Sequence, residues 1–202
     1  MSRKRVAGLV LAGGRSRRFG RDKASVLLAG QTLLAWSLAA LDGVCAEVAV
    51  SAPAKSQAGG LARSLGRTVL PDAPGHPSGP LAGIAAGLAW AGESRRAFLA
   101  TLPCDAPLVT GAVLETLLAA AADAGGAFAV TADGPHGLVA AWRTDRAAAL
   151  RRQLEAGEHP AVRHALAAAG ARAVRFDDAG LFRNLNDPAD LAEAEAALAA
   201  RR

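Results

Sequence analysis

The sequence predicts an α/β protein with a single doubly wound, mostly parallel sheet that carries helices on both faces. Three observations support this fold class. Short, uninterrupted apolar runs have the pattern of strands that are buried on both sides. These runs alternate with longer stretches of helical composition, and several of them end directly at Gly, Pro or Asp. In sheets of this kind, ligands bind outside the carboxyl ends of the strands.

The first half of the chain reads as alternating strands and helices. The apolar run over 6–12, which two glycines end, predicts a buried first strand. Thr32 offers an N-cap oxygen for a helix that continues to residue 41, and Gly43 ends it. The other predicted elements of this half are a short extended piece over 26–28, strands over 48–50, 68–70 and 97–102, and helices over 55–65 and 81–90.

The second half is rich in Ala, the residue with the highest helix propensity, so its long Ala-rich stretches predict ordinary helices. The predicted elements here are helices over 109–122, 145–155, 160–169 and 188–200, and strands over 128–131 and 138–142. The sequence contains neither an internal repeat nor a linker. We therefore expect one domain over residues 1–202.

The net charge of +5 is concentrated near the amino terminus. Residues 1–23 have eight basic side chains and one acidic side chain, whereas the remaining chain has a balance of −2. This distribution favours one concentrated anion site over an extended nucleic-acid surface. The alternative from another class is a nucleic-acid-binding arm on an inert α/β domain, which predicts steeply salt-dependent binding.

Two cysteines, Cys45 and Cys104, are too few for a disulfide framework or a zinc site and favour a reducing compartment. The amino terminus resembles the start of a signal peptide, but its apolar run is short and an Arg cluster follows it at once. The uncharged stretches 24–41 and 73–92 are broken by Gly or Pro, so neither reads as a membrane span. We expect a cytoplasmic protein without membrane association.

The loop after the first predicted strand combines adjacent glycines with a cluster of cations. Gly13 and Gly14 would let backbone N–H groups approach a ligand closely, as a polyphosphate requires. The cations are Arg15, Arg17, Arg18, Arg21 and Lys23. Ser16 could donate to a phosphate or cap the loop. The loop matches neither the dinucleotide fingerprint nor the P-loop, and the alternative interpretation is a solvated basic turn.

Two carboxylates follow predicted strands at the same edge of the sheet. Asp105 comes after the strand over 97–102, and Asp72 comes after the strand over 68–70. Mg²⁺ is commonly held by one or two carboxylates together with substrate phosphates, so Asp105 is the predicted metal ligand. The alternatives are a loop-capping role for Asp105 and a turn role for Asp72 after Pro71.

Four motifs occur in order across almost the whole chain. They are Leu11-Ala12-Gly13-Gly14 with Arg18-Phe19-Gly20-x-Asp22-Lys23, Gly79-Pro80-Leu81-Ala82-Gly83, Pro103-Cys104-Asp105, and Asn184-Leu185-Asn186-Asp187-Pro188. In this combination the chain resembles the molybdenum cofactor guanylyltransferase (MobA) family. The glycine loop with its Lys and the strand-ending Asp are shared with the wider nucleotidyltransferase class. The Ala-Gly-Gly form of the loop resembles the members that use GTP.

The resemblance implies a Rossmann-like nucleotidyltransferase fold and transfer of GMP from GTP to the terminal phosphate of molybdenum-molybdopterin. It implies Mg²⁺ as cofactor, a nucleotide-binding half over about 1–107, and an acceptor-binding half over about 108–202. Other proteins of the cofactor pathway are possible partners, whereas nucleic acid and membranes are not expected. The alternatives are a cytidylyltransferase, a sugar-phosphate nucleotidyltransferase, and a nucleotide-binding subunit without catalysis.

The resemblance also gives roles to matching positions. Lys23 would hold the phosphates and Asp105 would bind Mg²⁺. Separately from the resemblance, Lys23 alone is insufficient to neutralise the departing charge, so Arg18 is expected to share this task as a second catalytic cation. The remaining expected contacts are Leu11, Ala12, Gly13, Gly14, Ser16, Ser51, Asp72 and Gly79 for the nucleotide, and Asn184 and Asn186 for the pterin.

The chain departs from the family pattern at three places. Ser51 stands where relatives commonly have Asn, and this leaves one nucleoside contact open. His136-Gly137 stands for His-Pro, and Gly157-Glu158-His159-Pro160 stands for Gly-Glu-Arg-Arg, so the pterin pocket can be built differently. The four histidines lack metal-ligand spacing, and His136 is the best catalytic candidate among them. Cys104 is expected to be a small filler at a strand end.

Overall fold

The computed structural model describes residues 2–13, 22–72, 79–158 and 160–200. The strands in these ranges are β1 (Val6–Leu11), β2 (Leu27–Leu28), β3 (Gln31–Thr32), β4 (Glu47–Ser51), β5 (Thr68–Leu70), β6 (Phe98–Pro103), β7 (Gly126–Thr131), β8 (Gly134–Arg143) and β9 (Ala171–Arg175). The α-helices are α1 (Leu33–Asp42), α2 (Gln57–Ser64), α3 (Pro80–Glu93), α4 (Gly111–Ala121), α5 (Ala147–Glu155), α6 (Val162–Ala168) and α7 (Pro188–Ala200).

Seven strands form one sheet in the order β5-β4-β1-β6-β8-β7-β9. β1 pairs in parallel with β4 on one side and with β6 on the other. β8 runs antiparallel to both β6 and β7, and β9 is parallel to β7. The predicted mostly parallel sheet is therefore confirmed, and the carboxyl ends of β1, β4, β5 and β6 meet at one edge.

Side chains of β1 alternate between two helical layers. Val6 and Val10 pack into a cluster with α1, α2 and α4. Ala7 and Leu9 pack into a second cluster with α3, α5 and α6. Because successive strand residues point to opposite faces, a run that is apolar at every position is buried on both sides. The helices lie on both faces, as predicted.

Helix α7 packs outside these two layers. Ala194 and the partly buried Leu191 and Leu198 join a third cluster with Leu28 of β2 and with Leu185. This cluster brings the loop before α7 close to the turn that precedes β2. Across the described ranges, no helix combines the length and the apolar character needed to cross a bilayer.

Local signals correctly located most of the elements. Thr32 caps α1, since its side chain accepts a hydrogen bond from Ala35 N at 3.2 Å, and Gly43 follows the end of this helix. Strand β9 was not predicted, because its sequence Ala-Arg-Ala-Val-Arg has no apolar run and it lies at the edge of the sheet. The orientation of β8 also had no local signal.

Candidate active site

A cleft of about 740 Å³ opens at the carboxyl ends of β1, β4 and β6. Its volume lies in the range of small-molecule sites in proteins. Eight predicted site residues line it: Leu11, Ala12, Gly13, Lys23, Ser51, Asp72, Gly79 and Asp105. The predicted Gly14, Ser16 and catalytic Arg18 lie outside the described residues, as do His76 and His159. A smaller cavity lies between α3, α5 and α6. None of the described residues that the sequence predicts for the site lines this cavity.

The backbone of β1 continues into the cleft. Ala12 N donates to Ser51 O at 2.9 Å, and Leu11 O accepts from Cys104 N at 3.1 Å. The ladder thus extends past the last β1 residue and holds Leu11 and Ala12 at the cleft wall. Gly13 is not among the glycines with positive φ, and a Cβ there would meet no described atom within 4 Å. The described backbone therefore does not require glycine at position 13.

The Gly-Pro-Leu-Ala-Gly motif has clear packing reasons. Gly79 precedes α3 with φ +148°, a conformation that favours glycine, and Pro80 takes the first helical position. A Cβ on Gly83 would overlap Ser51 Oγ, and it would lie 3.1 Å from Ser51 Cβ. The motif thus allows α3 to approach the end of β4. Ser51 is almost fully buried at this contact and still lines the cleft.

Lys23 lies between two oxygen acceptors. Its Nζ is 2.9 Å from Asp105 Oδ2 and 2.8 Å from Asn186 Oδ1. The side chains of Lys23 and Asp105 are 15% and 24% exposed, so water screens this ion pair less than a surface pair. Lys23 begins the 3₁₀ turn Lys23–Ser25, Asp105 follows β6, and Asn186 precedes α7. The structure thus brings together three predicted residues from distant parts of the chain.

The two Asn residues of the late motif are placed differently. Asn186 reaches Lys23 through its side-chain oxygen and donates from Nδ2 to Asn184 O at 3.3 Å. Asn184 is exposed and contributes its carbonyl oxygen to this contact. Between them, Leu185 N donates to Asp105 O at 2.7 Å. The loop is therefore attached to the same residue whose side chain contacts Lys23.

Charges in the described part of the cleft are mostly negative. Asp22, Asp72 and Asp105 line it together with one ammonium, that of Lys23. Asp105 Oδ2 and Asn186 Oδ1 already converge on a cation, because both accept from Lys23 Nζ. Carboxylate and amide oxygens are hard ligands of the kind that Mg²⁺ prefers. Asp105 thus supplies one carboxylate oxygen of the kind that would hold Mg²⁺ together with substrate phosphates, whereas the described residues form no cluster of three or more His, Cys, Asp or Glu side chains for a metal.

Sequence reasoning missed the role of Asp22. Its Oδ1 accepts from Ala24 N at 3.0 Å and its Oδ2 accepts from Ala58 N, near the start of α2, at 2.9 Å. An Asp just before a turn is a recognised signal for the first bond. The second bond joins residues that are far apart in the sequence, and no local signal could have found it.

Cys104 is next to Asp105, but its thiol is unreactive. Burial, with the nearby Asp105 carboxylate as a smaller cause, raises the pKa of the Cys104 thiol to about 12. The thiol therefore stays protonated at neutral pH and is not a nucleophile. The residue packs in the main core, which is consistent with the expected filler.

His136 is engaged outside the cleft lining. Its Nε2 is 2.8 Å from Thr131 Oγ1, and its ring stacks on Phe182 with the centroids 4.8 Å apart. Burial lowers the pKa of the His136 imidazole, with Asp133 opposing the effect. His136 thus lies in a packed aromatic contact and is not among the residues that line the cleft.

Comparisons with known proteins agree with this geometry. A family model described as a MobA-like NTP transferase domain matches residues 8–175. The chain is 41% identical over 204 residues to the molybdenum cofactor guanylyltransferase of Cereibacter sphaeroides, covering 96% of this chain and 97% of that protein. It is 41% identical over 193 residues to the enzyme of the same name from Rhodobacter capsulatus, covering 95% of each. The crystal structure of molybdopterin-guanine dinucleotide biosynthesis protein A from Archaeoglobus fulgidus matches with a TM-score of 0.78 at 25% identity, covering 96% of this chain and 99% of that one.

Proposed function

The chain belongs to the MobA-like NTP transferase family, and from this premise we propose that it transfers GMP from GTP to the terminal phosphate of molybdenum-molybdopterin. The products would be molybdopterin guanine dinucleotide and pyrophosphate. The chain is a nucleotidyltransferase with the Rossmann-like fold of that enzyme class. One observation of the site carries the proposal: the Lys23 ammonium lies between Asp105 and Asn186, at a cleft large enough for a nucleotide.

The proposed reaction is a displacement at phosphorus. An oxygen of the acceptor phosphate forms a bond to the α-phosphorus of GTP, and the bond from that phosphorus to the bridging oxygen of the β-phosphate breaks. Pyrophosphate leaves with the electron pair of the broken bond. Because both reactants are anions, the protein mainly has to position them and to neutralise the charge that moves to the leaving group.

Lys23 alone cannot supply enough stabilisation. An ammonium about 4 Å from a phosphate charge contributes about 4 kcal/mol at an effective dielectric constant of 20. Enzymatic rate accelerations begin at about 8 kcal/mol of barrier lowering. We therefore assign a share to Arg18, to backbone N–H groups of the glycine loop, and to Mg²⁺ held by Asp105. The metal would act as a Lewis acid on the phosphate oxygens.

The other residues are assigned from the cleft lining where the structure describes it, and from the predicted site in the remaining cases. Leu11, Ala12 and Gly13 would line the nucleotide with their backbone, and Ser51 and Asp72 would contact the nucleoside. Gly79, Gly14 and Ser16 would provide the remaining contacts to the nucleotide. Most of the nucleotide site would thus lie within residues 1–107. Residues 108–202 would supply most of the acceptor side, where we assign Asn184 and Asn186 to the pterin. Both cysteines are free and buried, which supports the assignment of the protein to the reducing cytoplasm.

Pyrophosphate release tests the proposal directly. The protein is incubated with molybdenum-molybdopterin and with Mg-GTP, Mg-CTP or Mg-UTP in parallel, and Lys23→Met serves as the inactive control. We expect release with GTP only, and a mass corresponding to the guanine dinucleotide. A preference for CTP or UTP would reject the guanylyl assignment. Binding of Mg-GTP without release would indicate a nucleotide-binding subunit.

A further inference from the structure

Asp190 lies in the first turn of α7, and its carboxylate reaches back to the loop that contains Asn186. Asp190 Oδ2 accepts hydrogen bonds from Asn186 N at 2.7 Å and from Asp187 N at 3.2 Å. Asp187 Oδ1 accepts in return from Ala189 N at 2.9 Å and from Asp190 N at 3.1 Å. This reciprocal arrangement is a capping box with an Asp at both positions.

The capping box and Asp105 together fix three consecutive residues next to the cleft. Leu185 is held by Asp105 O and is fully buried, while Asn186 and Asp187 are held by Asp190. With its backbone held in this way, Asn186 presents its Oδ1 to Lys23 Nζ at 2.8 Å. Two hydrogen bonds, joined by the covalent frame of Asn186, therefore connect the Asp190 carboxylate to the Lys23 ammonium.

We propose that Asp190 is a positioning residue for nucleotidyl transfer, which fixes the Asn186 amide and through it the Lys23 ammonium. The proposal rests on the proposed function of the same site. Asp190 itself touches no reacting group, because it acts through the backbone of Asn186. The ionised carboxylate suits this task, since charge-assisted hydrogen bonds to backbone N–H groups are about twice as strong as neutral ones. It also lies at the amino end of a helix, where negative charge is favoured.

The chain has three lysines, so the reactivity of Lys23 can be compared with that of two reference lysines without an activity assay. Lys4 and Lys55 are exposed, whereas the Lys23 side chain is 15% exposed and donates two hydrogen bonds. Brief treatment of the native protein with a trace of acetic anhydride, followed by peptide mass spectrometry, gives the relative acylation rate of each amine. In the unaltered protein we expect Lys23 to react more slowly than both reference lysines.

Asp190→Ala should raise the Lys23 to Lys55 acylation ratio by about five- to tenfold, because one of two acceptors of Lys23 is released. Asp190→Asn keeps an acceptor oxygen without the charge, and we expect a rise of about two- to threefold. Asp190→Glu retains the charge that a capping box uses and should restore the original ratio. The asparagine variant keeps the test decisive if Asp190→Ala does not fold.

Glu195→Ala is the matched control. Glu195 Oε1 accepts from Ala29 N at 3.2 Å, so this change removes another bond between α7 and a backbone N–H but leaves the Asn186 loop intact. The Lys23 ratio should stay constant in this variant. An unchanged ratio in folded Asp190→Ala or Asp190→Asn, or an equal rise in Glu195→Ala, would overturn the proposal.

Kinetics separate this proposal from the proposed function. In the pyrophosphate assay with GTP, Asp190→Ala should lower kcat/KM about tenfold, with Asp190→Glu close to the unaltered protein. If the unaltered protein released no pyrophosphate while the acylation ratios followed the expected order, the proposed function would be wrong and the positioning of Lys23 would stand. Normal kcat/KM in an Asp190→Ala protein with a raised ratio would show that the proposed positioning does not serve catalysis.

Discussion

Asp22 Oδ2 accepts a hydrogen bond from Ala58 N at 2.9 Å, and this bond joins the turn that carries Lys23 to the start of α2. The other oxygen of the same carboxylate accepts from Ala24 N within the turn. One side chain therefore satisfies two backbone donors that belong to different elements. The position of Lys23 depends on α2 as well as on the acceptors in the cleft.

Asp22→Ala should weaken both stability and catalysis. Loss of a capping carboxylate costs about 1 kcal/mol of unfolding free energy, and we expect kcat/KM to fall about tenfold because the Lys23 turn is released. Ser56→Ala is the matched control, since Ser56 Oγ caps α2, the helix that Asp22 contacts, by accepting from Gly59 N. It should cost a similar unfolding free energy in urea without lowering kcat/KM. Equal kinetic effects of the two changes would contradict the link to Lys23.

Gly83→Ala should destabilise the fold by about 1–3 kcal/mol, because overpacking forces the surrounding core to shift. The new Cβ would overlap Ser51 Oγ. Adding Ser51→Ala should recover part of the loss, and urea unfolding of the two single variants and the double variant measures the coupling. Gly60→Ala in α2 is the control: a Cβ there meets nothing within 4 Å, so we expect a gain of up to about 1 kcal/mol. Additive losses would show that the two residues do not compete for space.

Asp105→Asn should abolish Mg²⁺-dependent turnover. The amide loses the charge that pairs with Lys23 and that would hold the metal, and we expect a rate loss of at least about 100-fold. Pyrophosphate release is measured over a series of Mg²⁺ concentrations. Asp145→Asn removes an exposed pair with Arg143 and should leave the rate unchanged. Near-normal turnover of Asp105→Asn would reject Asp105 as the metal ligand.

The buried cysteines predict a loss of stability in alkali. Burial raises the pKa of Cys45 and of Cys104 from 9.0 to about 12. A raised pKa in the folded state stabilises the fold below pH 9, and this contribution is lost as the pH rises from 9 towards 12, because the unfolded thiols ionise first. The chain contains no Tyr, so phenol ionisation does not obscure the effect.

Urea unfolding at pH 8 and at pH 10.5 checks this expectation. The unaltered protein should lose more unfolding free energy between the two pH values than the Cys45→Ala/Cys104→Ala variant does. In the folded protein at pH 8, both thiols should react with iodoacetamide far more slowly than in urea. Rapid alkylation of the folded protein would show that the thiols are accessible and ionised.

The sequence predicted those features of the fold and the site whose signal lies in neighbouring residues. The position of Asp105 follows from a buried apolar run that ends at a carboxylate, and the parallel sheet brings Lys23 to the same edge. Long-range contacts had no such signal. The bond from Asp22 to α2 and the approach of Gly83 to Ser51 depend on how distant elements pack. Likewise, the alternation of polar and apolar residues in β9 is too weak to identify an edge strand.

The contact between Lys23 and Asn186 joins residues that are 163 positions apart. During synthesis, Lys23 leaves the ribosome long before Asn186, whereas a domain generally folds as one unit. The ammonium gains its second acceptor only when the segment before α7 emerges. Lys23 therefore cannot have both acceptors until nearly the whole chain has been made.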